Sequence, residues 1–400
     1  MSTRPRSKPR TAWLLVAALA VAMFGLGLGA WLGEWHLGAD SVVYRAGALT
    51  FLRGQHLYPA EALSTLPSWV LLPFTYPPAA ALLFVPLAGV PAGLTWGVVG
   101  AVSIVALAVT LHVSAPKLVD ARWWALPGCV VLAMALEPVW KTLLLGQINL
   151  ILMAMVLLDV LVLCARGSRW GGILVGVAAA VKLTPLIFIP HLLITGRRQD
   201  AARALGAFVV LEGLMFLLIP GDASQYWTRS ASDPSRIGAV SWIFDQSLNG
   251  LVSRTSHLAP WSLKLALGIG ALLAVPSIWL VVRLHRRGEA LGALLVTAFY
   301  ALLVSPVSWS HHWVWVVPLV ALLVTRGRKV VALVVGAFFA SCVVMIVPNG
   351  GNAEFRWGWG LSILGNSYVL VAALGILGLA AWELRQALVA GSSRGPVADR

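Results

Sequence analysis

Residues 73–90 read PFTYPPAAALLFVPLAGV. By length and hydropathy this stretch is able to cross a bilayer, for which about 17–25 apolar residues suffice. By chemistry it makes a poor crossing. Pro73, Pro77, Pro78 and Pro86, with Pro91 just beyond, each lack a backbone donor and disrupt the helical hydrogen bonds that lipid cannot replace. The fold turns on which property wins, because this segment sets the parity of the chain. A plain hydropathy pass finds thirteen apolar segments, and basic clusters at both ends put both termini on the cytoplasmic side, which requires an even number of crossings. If 73–90 stays at the outer surface, Lys117, Arg122, Arg166 and Arg169 all fall inside; if it crosses, Arg166 and Arg169 land outside. The expected crossings are therefore twelve, near 13–32, 92–113, 123–137, 148–164, 170–182, 184–196, 203–220, 262–282, 290–304, 312–325, 330–348 and 362–384.

Composition agrees with a membrane chain. Of 400 residues 59% are hydrophobic and 11% charged, with mean hydropathy +0.86, whereas a soluble protein carries roughly a quarter charged residues. The net charge of +14 does not point to nucleic acid. Its sources are short connectors: Arg4, Arg6, Lys8 and Arg10; Arg166 and Arg169; Arg197, Arg198 and Arg203; Arg283, Arg286 and Arg287; Arg326, Arg328 and Lys329. This is the positive-inside pattern. The stretch 13–32 is too long for a signal h-region and lacks a clear cleavage site, so it reads as a retained helix. Cys129, Cys164 and Cys342 lie in apolar spans without disulfide or zinc spacing. Residues 1–390 read as one transmembrane domain and 391–400 as a disordered cytoplasmic tail. The fold class is an all-α polytopic bundle, with a helix over 41–52 expected to lie in the membrane interface beside Asp40.

On this topology the outer face gathers an unusual polar set. It holds Asp40 and Tyr44 in the first loop; Glu137, Trp140, Lys141, Gln147 and Asn149 in the next turn; Lys182 at a hairpin tip; Asp245, Gln246 and Asn249 in the central loop; Ser308, Trp309, His311 and His312 before the tenth crossing; and Glu354 and Arg356 in the last loop. Ionisable residues near membrane helix ends are costly unless paired, hydrated or used. Each has two readings. Asp40 is a loop acid or a general base for a substrate carried by lipid. Lys182 anchors a helix end by snorkelling or binds phosphate. His311 and His312 belong to an aromatic belt with Trp309, Trp313 and Trp315, or to a site in which the tryptophans stack on sugar. Adjacent histidines aim poorly at one ion from a helix, so no metal is expected. Glu212 and Asp159, in or near spans, keep a proton-coupled transporter or flippase open as a rival.

The polar segments occur in a recognisable order: Asp40 with Val43-Tyr44; Phe74-Thr75-Tyr76-Pro77-Pro78; Gly146-Gln147-Ile148-Asn149; Lys182-Leu183-Thr184-Pro185; Asp245-Gln246-Ser247-Leu248-Asn249-Gly250; and Ser305-Pro306-Val307-Ser308-Trp309-Ser310-His311-His312-Trp313. Together they resemble glycosyltransferase family 87 of the multi-spanning GT-C superfamily, the actinobacterial mannosyltransferases that use polyprenyl-phosphate-mannose. The resemblance implies juxtamembrane helices in the first outer loop, an extracytoplasmic site and an acidic catalytic position that Asp40 matches. It implies an inverting transfer from a β-linked donor to an α-(1-2) product on a glycolipid, either a phosphatidylinositol mannoside or a lipomannan or lipoarabinomannan chain. An enzyme using another lipid-phosphate sugar, such as arabinose, is the nearer rival. The roles expected from chemistry follow. Asp40 is the base, with His312 or His311 sharing the proton or orienting the acceptor. Lys182, helped by Arg254 or Arg356, stabilises the departing phosphate. Tyr44, Tyr76, Gln147, Asn149, Gln246, Asn249, Trp309 and Glu354 contact sugar or acceptor. No cofactor and no metal are required, since a lipid monophosphate lacks the pyrophosphate bite that recruits one.

Overall fold

The computed structural model describes residues 9–59, 61–233 and 236–392. Arg4, Arg6, Lys8 and residues 393–400 lie outside the described residues. Gly391 and Ser392, expected to open a disordered tail, instead close the helix Ser367–Ser392. Among the described residues the secondary structure is helical, with one isolated bridge between Asp245 and Trp309.

Among the described residues six helices are long and apolar enough to cross a membrane: Arg10–Leu32, Ala92–Ser114, Arg198–Leu218, Ser262–Arg286, Lys329–Ile346 and Ser367–Val389. The other expected crossings are shorter or broken, for local reasons. The 123–137 segment becomes Ala125–Ala133 and Glu137–Leu145, bent by 81°, where Pro138 enters the second helix and cannot continue the first. The 184–196 segment opens as a 3-10 turn, Thr184–Ile187, with Pro185 inside it. The expected crossing from 312 begins as a 3-10 segment, Ser310–Trp315, and becomes α-helical only at Val316. The 73–90 stretch yields helices Pro78–Leu83 and Val85–Ala88, each far below spanning length.

The chain divides into two compact units: Met1–Ala239 with Ser310–Cys342, and Val240–Trp309 with Val343–Arg400. In the first, helix Pro9–Leu32 lies along Thr95–Ser114. The two backbones meet at glycines, since a Cβ on Gly27 would sit 2.2 Å from the Gly97 Cα, the small-residue contact that membrane helices favour. Helix Ala39–Leu52, expected at the interface, is packed against protein along one face, with Ser41, Val42, Val43, Tyr44, Ala46, Gly47, Ala48 and Thr50 all buried. Its small face admits the ring of Phe74, which a Cβ on Gly47 would approach to 2.3 Å. Tyr44 stacks on Phe84 at 4.5 Å and meets Tyr76 edge-on at 5.1 Å, so the proline-rich stretch 73–90 becomes the packing partner of this helix.

Asp159 also finds a structural place. Its two carboxylate oxygens accept from Gly172 N at 2.6 Å and Val175 N at 2.8 Å, satisfying amides at the start of helix Ile173–Val181. A carboxylate committed this way is a helix cap, not a link in a proton path. In the second unit, Glu383 receives Arg283 at 2.5 Å and Arg287 at 2.7 Å, joining helices Ser262–Arg286 and Ser367–Ser392.

Candidate active site

Two glycines bring Asp40 to its neighbours. Gly38 caps helix Ala39–Leu52 at φ 71°, and Gly146 ends helix Glu137–Leu145 at φ 66°. A Cβ on Gly38 would meet Trp96 at 2.6 Å, and one on Gly146 would meet Ser41 Oγ at 2.7 Å. With hydrogen in both places, Gly38 N donates to Leu144 O at 3.3 Å, and the start of one helix abuts the end of the other. Asp40 thus stands in the first turn of a helix, where the dipole favours a carboxylate, and not in a loop. After Gly146 the chain closes with two capping bonds, Gly146 N to Leu143 O at 3.1 Å and Gln147 N to Thr142 O at 2.9 Å. That turn aims the Gln147 side chain at Asp40.

Gln147 is fixed from behind by phenols. Tyr44 Oη donates to Gln147 Oε1 at 2.9 Å, Gln147 Nε2 donates to Tyr76 Oη at 3.3 Å, and Ile148 N donates to Tyr44 Oη at 3.2 Å. Tyr44 is fully enclosed. The two tyrosines, expected to touch sugar, are the backing of Gln147. Asp40 and Lys182 are each half-buried. Burial pushes the Asp40 carboxyl up to about 6, against the pull of the Lys182 charge and the Gln147 hydrogen bond. Burial likewise lowers Lys182 to about 8, opposed by Asp40.

Lys182 sits just past helix Ile173–Val181 in extended backbone. Its Nζ donates to Asn149 Oδ1 at 3.0 Å and lies 3.1 Å from His312 Nε2. An ammonium there makes Nε2 the acceptor, so His312 is neutral with its proton on Nδ1, a tautomer assigned from the hydrogen-bond pattern. Asn149 Nδ2 and Thr142 Oγ1 both donate to His311 O, at 3.0 and 2.9 Å. The two ring nitrogens of His311 are buried with no protein partner. Asn149, expected on sugar, therefore orients Lys182.

The remaining candidates belong to the second unit, and most are built into it. Gln246 spends its whole amide internally: Nε2 donates to Ile243 O at 2.6 Å and Gly365 O at 2.7 Å, and Oε1 accepts from Tyr368 N at 3.2 Å. Asn249 Nδ2 donates to Pro306 O at 2.9 Å. Arg254, buried, holds Asn366 Oδ1 through Nε and Nη2 at 3.0 and 2.6 Å and Trp242 O through Nη1 at 2.9 Å. Glu354 Oε1 accepts from Ile243 N at 3.3 Å and Gly350 N at 3.0 Å. Asp245 anchors Ser308 N at 2.8 Å. Trp309 is half-buried against Trp242, and Arg356 is exposed. The motif around Asp245 thus acts first as a structural knot. What the sequence reading missed is the support behind Lys182 and the histidines, from Glu137, Lys141, Thr142 and Ser310. The i,i+4 spacing of Glu137 and Lys141 was its one visible sign.

A family model described as Glycosyltransferase family 87 matches residues 74–306. A protein of Mycobacterium tuberculosis named polyprenol-phosphate-mannose-dependent alpha-(1-2)-phosphatidylinositol mannoside mannosyltransferase is 31% identical over 98% of this chain and 96% of its own length. A protein of the same name from Mycolicibacterium smegmatis is 32% identical over 80% of this chain and 78% of its own. A polyprenol-phosphate-mannose-dependent alpha-(1-2)-phosphatidylinositol pentamannoside mannosyltransferase of M. tuberculosis is 36% identical over 76% of this chain and 72% of its own. No solved structure matches the chain.

Proposed function

The chain belongs to glycosyltransferase family 87, and from that premise we propose that it transfers mannose from polyprenol-phosphate-mannose to a phosphatidylinositol mannoside, forming an α-(1-2) linkage with inversion. The observation that carries the proposal is the turn Gly146-Gln147-Ile148-Asn149. It hands one amide to Asp40 and the other to Lys182, so a base and a cation are presented together within electrostatic reach of each other. Those are the two groups that a one-step displacement at a phosphorylated sugar needs.

In the proposed step an acceptor 2-hydroxyl attacks C1 of the donor mannose. Asp40 takes the hydroxyl proton as the new C1–O bond forms. The bond from C1 to the phosphate oxygen breaks, and polyprenol phosphate leaves as an anion stabilised by the Lys182 ammonium. His312, neutral and hydrogen-bonded to Lys182, holds that ammonium in place. His311, held through its backbone carbonyl by Asn149 and Thr142, orients the acceptor. Backside attack on a β-linked donor gives the α product. No metal or cofactor takes part. The domain comprises residues 1–390 and forms a GT-C-like bundle of about twelve crossings. The helices of the first outer segment lie at the membrane surface, and the site opens on the extracytoplasmic face of the cell membrane. Arg356 and Trp309 are kept as contacts to donor and sugar. Arg254, Gln246, Asn249 and Glu354 shape the outer segments through their internal bonds.

The direct test incubates membranes bearing the chain with labelled polyprenol-phosphate-mannose and phosphatidylinositol mannosides of graded length. Label should appear in a product that an α-(1-2)-mannosidase removes. Absence of incorporation into every acceptor, or preference for a lipid-phosphate arabinose donor, would overturn the proposal.

A further inference from the structure

Behind the cationic end of the site lies a group of three side chains, Glu137 and Ser310 buried and Lys141 partly so, that the displacement itself does not use. Glu137, in the first turn of helix Glu137–Leu145, is completely enclosed. Lys141, one turn on, faces it at 3.5 Å. Ser310 joins the pair: its Oγ donates to Glu137 Oε1 at 2.8 Å and accepts from Lys141 Nζ at 3.1 Å. A buried ion pair is a weak source of stability, because desolvation of both charges offsets their attraction. Its specific contribution here is geometric. Ser310 opens the 3-10 segment Ser310–Trp315, and its hydroxyl is saturated by two charged partners on one rigid helix. Thr142, on the same helix, grips the next residue through His311 O at 2.9 Å. The residue after that is His312, whose Nε2 meets Lys182.

We propose that Glu137 and Ser310, with Lys141 as counter-ion, are positioning residues that fix the 3-10 segment so that His312 holds the Lys182 ammonium toward the donor phosphate. The inference rests on the reading of Lys182 as the phosphate-binding cation. Neither Glu137 nor Ser310 touches substrate in this account. They act through the backbone of 310–312, and their loss changes how well Lys182 is aimed, not whether a base is present. Charge-assisted networks of this kind are worth more than isolated bonds when every member is satisfied, as all three are here.

Ser310→Ala is the cleanest probe, because it cuts the link and leaves the Glu137–Lys141 pair intact. Donor KM should rise about three- to tenfold, the loss expected for one hydrogen bond, with kcat and acceptor KM within about twofold. Glu137→Gln combined with Lys141→Met, which keeps an acceptor for Ser310 and leaves no unpaired charge, should hold donor KM within about twofold of the parent and guards against a folding artefact. Both are repeated in a Lys182→Gln background, where Ser310→Ala should have no further effect on donor KM. Unchanged donor KM in Ser310→Ala overturns the inference, as does an equal rise with Lys182 already removed. If Lys182→Gln alone leaves donor KM unchanged, the phosphate-binding reading itself fails, an outcome distinct from both.

Discussion

Replacing Asp40 with asparagine separates the chemistry from the fold. Asparagine has nearly the same shape and keeps a hydrogen-bonding group toward Gln147, but it accepts no proton. General-base assistance contributes about 10²- to 10⁴-fold, so kcat should fall by that factor with donor and acceptor KM changed little. Stability should move the other way. Holding the ionised carboxylate at this half-buried position, with its value moved from 3.8 to about 6, disfavours the folded state by on the order of 3 kcal/mol, reduced to about 1–2 kcal/mol by partial solvent access. Because the folded-state value lies above the unfolded one, this penalty is absent below about pH 4 and fully present above about pH 6. Asp40→Asn should therefore be at least as heat-stable in detergent at pH 7.5 as the parent, and the difference should vanish near pH 4. The assay pairs initial rates of labelled mannose transfer with thermal unfolding of the same detergent preparation. Activity within tenfold of the parent, or parallel loss of activity and thermal stability, would refute the base assignment.

Other substitutions test the same geometry from different sides. Lys182→Ala should raise donor KM by about 10- to 100-fold, the range for a charge-assisted hydrogen bond, and leave acceptor KM alone; an effect confined to the acceptor would reverse the assignment. In the parent, kcat/KM against pH should be bell-shaped, rising as Asp40 ionises near 6 and falling as Lys182 loses its proton near 8, and each limb should disappear in the matching variant. Tyr44→Phe frees Gln147 Oε1 and loosens the amide that lowers the Asp40 value, so kcat should drop about three- to tenfold and the acid limb should move to higher pH. Asp159→Ala strips the amides of Gly172 and Val175 of their acceptor; thermal stability should fall by about 1–3 kcal/mol while kcat per folded molecule is retained, whereas a proton-path role would abolish activity.

The reading of 73–90 shows why part of the fold was legible. Proline chemistry acts through a short sequence window and argued against one long helix there; the structure resolves the segment into helices of six and four residues. Asp40 and Lys182 stood out for a similar reason, since an ionisable residue beside apolar spans needs an explanation wherever it points. The tyrosines and Asn149 were harder. Their side chains bind sugar in one setting and fix a neighbour in another, and only burial tells these apart.

Sequence by itself settled that the chain is a helical membrane protein and which connectors carry the positive charge, and it singled out Asp40 and Lys182 as the acid and the lysine to test. Those properties follow from the cost of transferring individual residues into lipid and are local. Tertiary structure alone decided that Gly38 and Gly146 let two helix ends meet, that one turn serves both Asp40 and Lys182, and that Glu137 and Ser310 stand behind His312. These contacts join residues up to 173 positions apart. They depend on the shape left between packed helices, which no single stretch of sequence encodes.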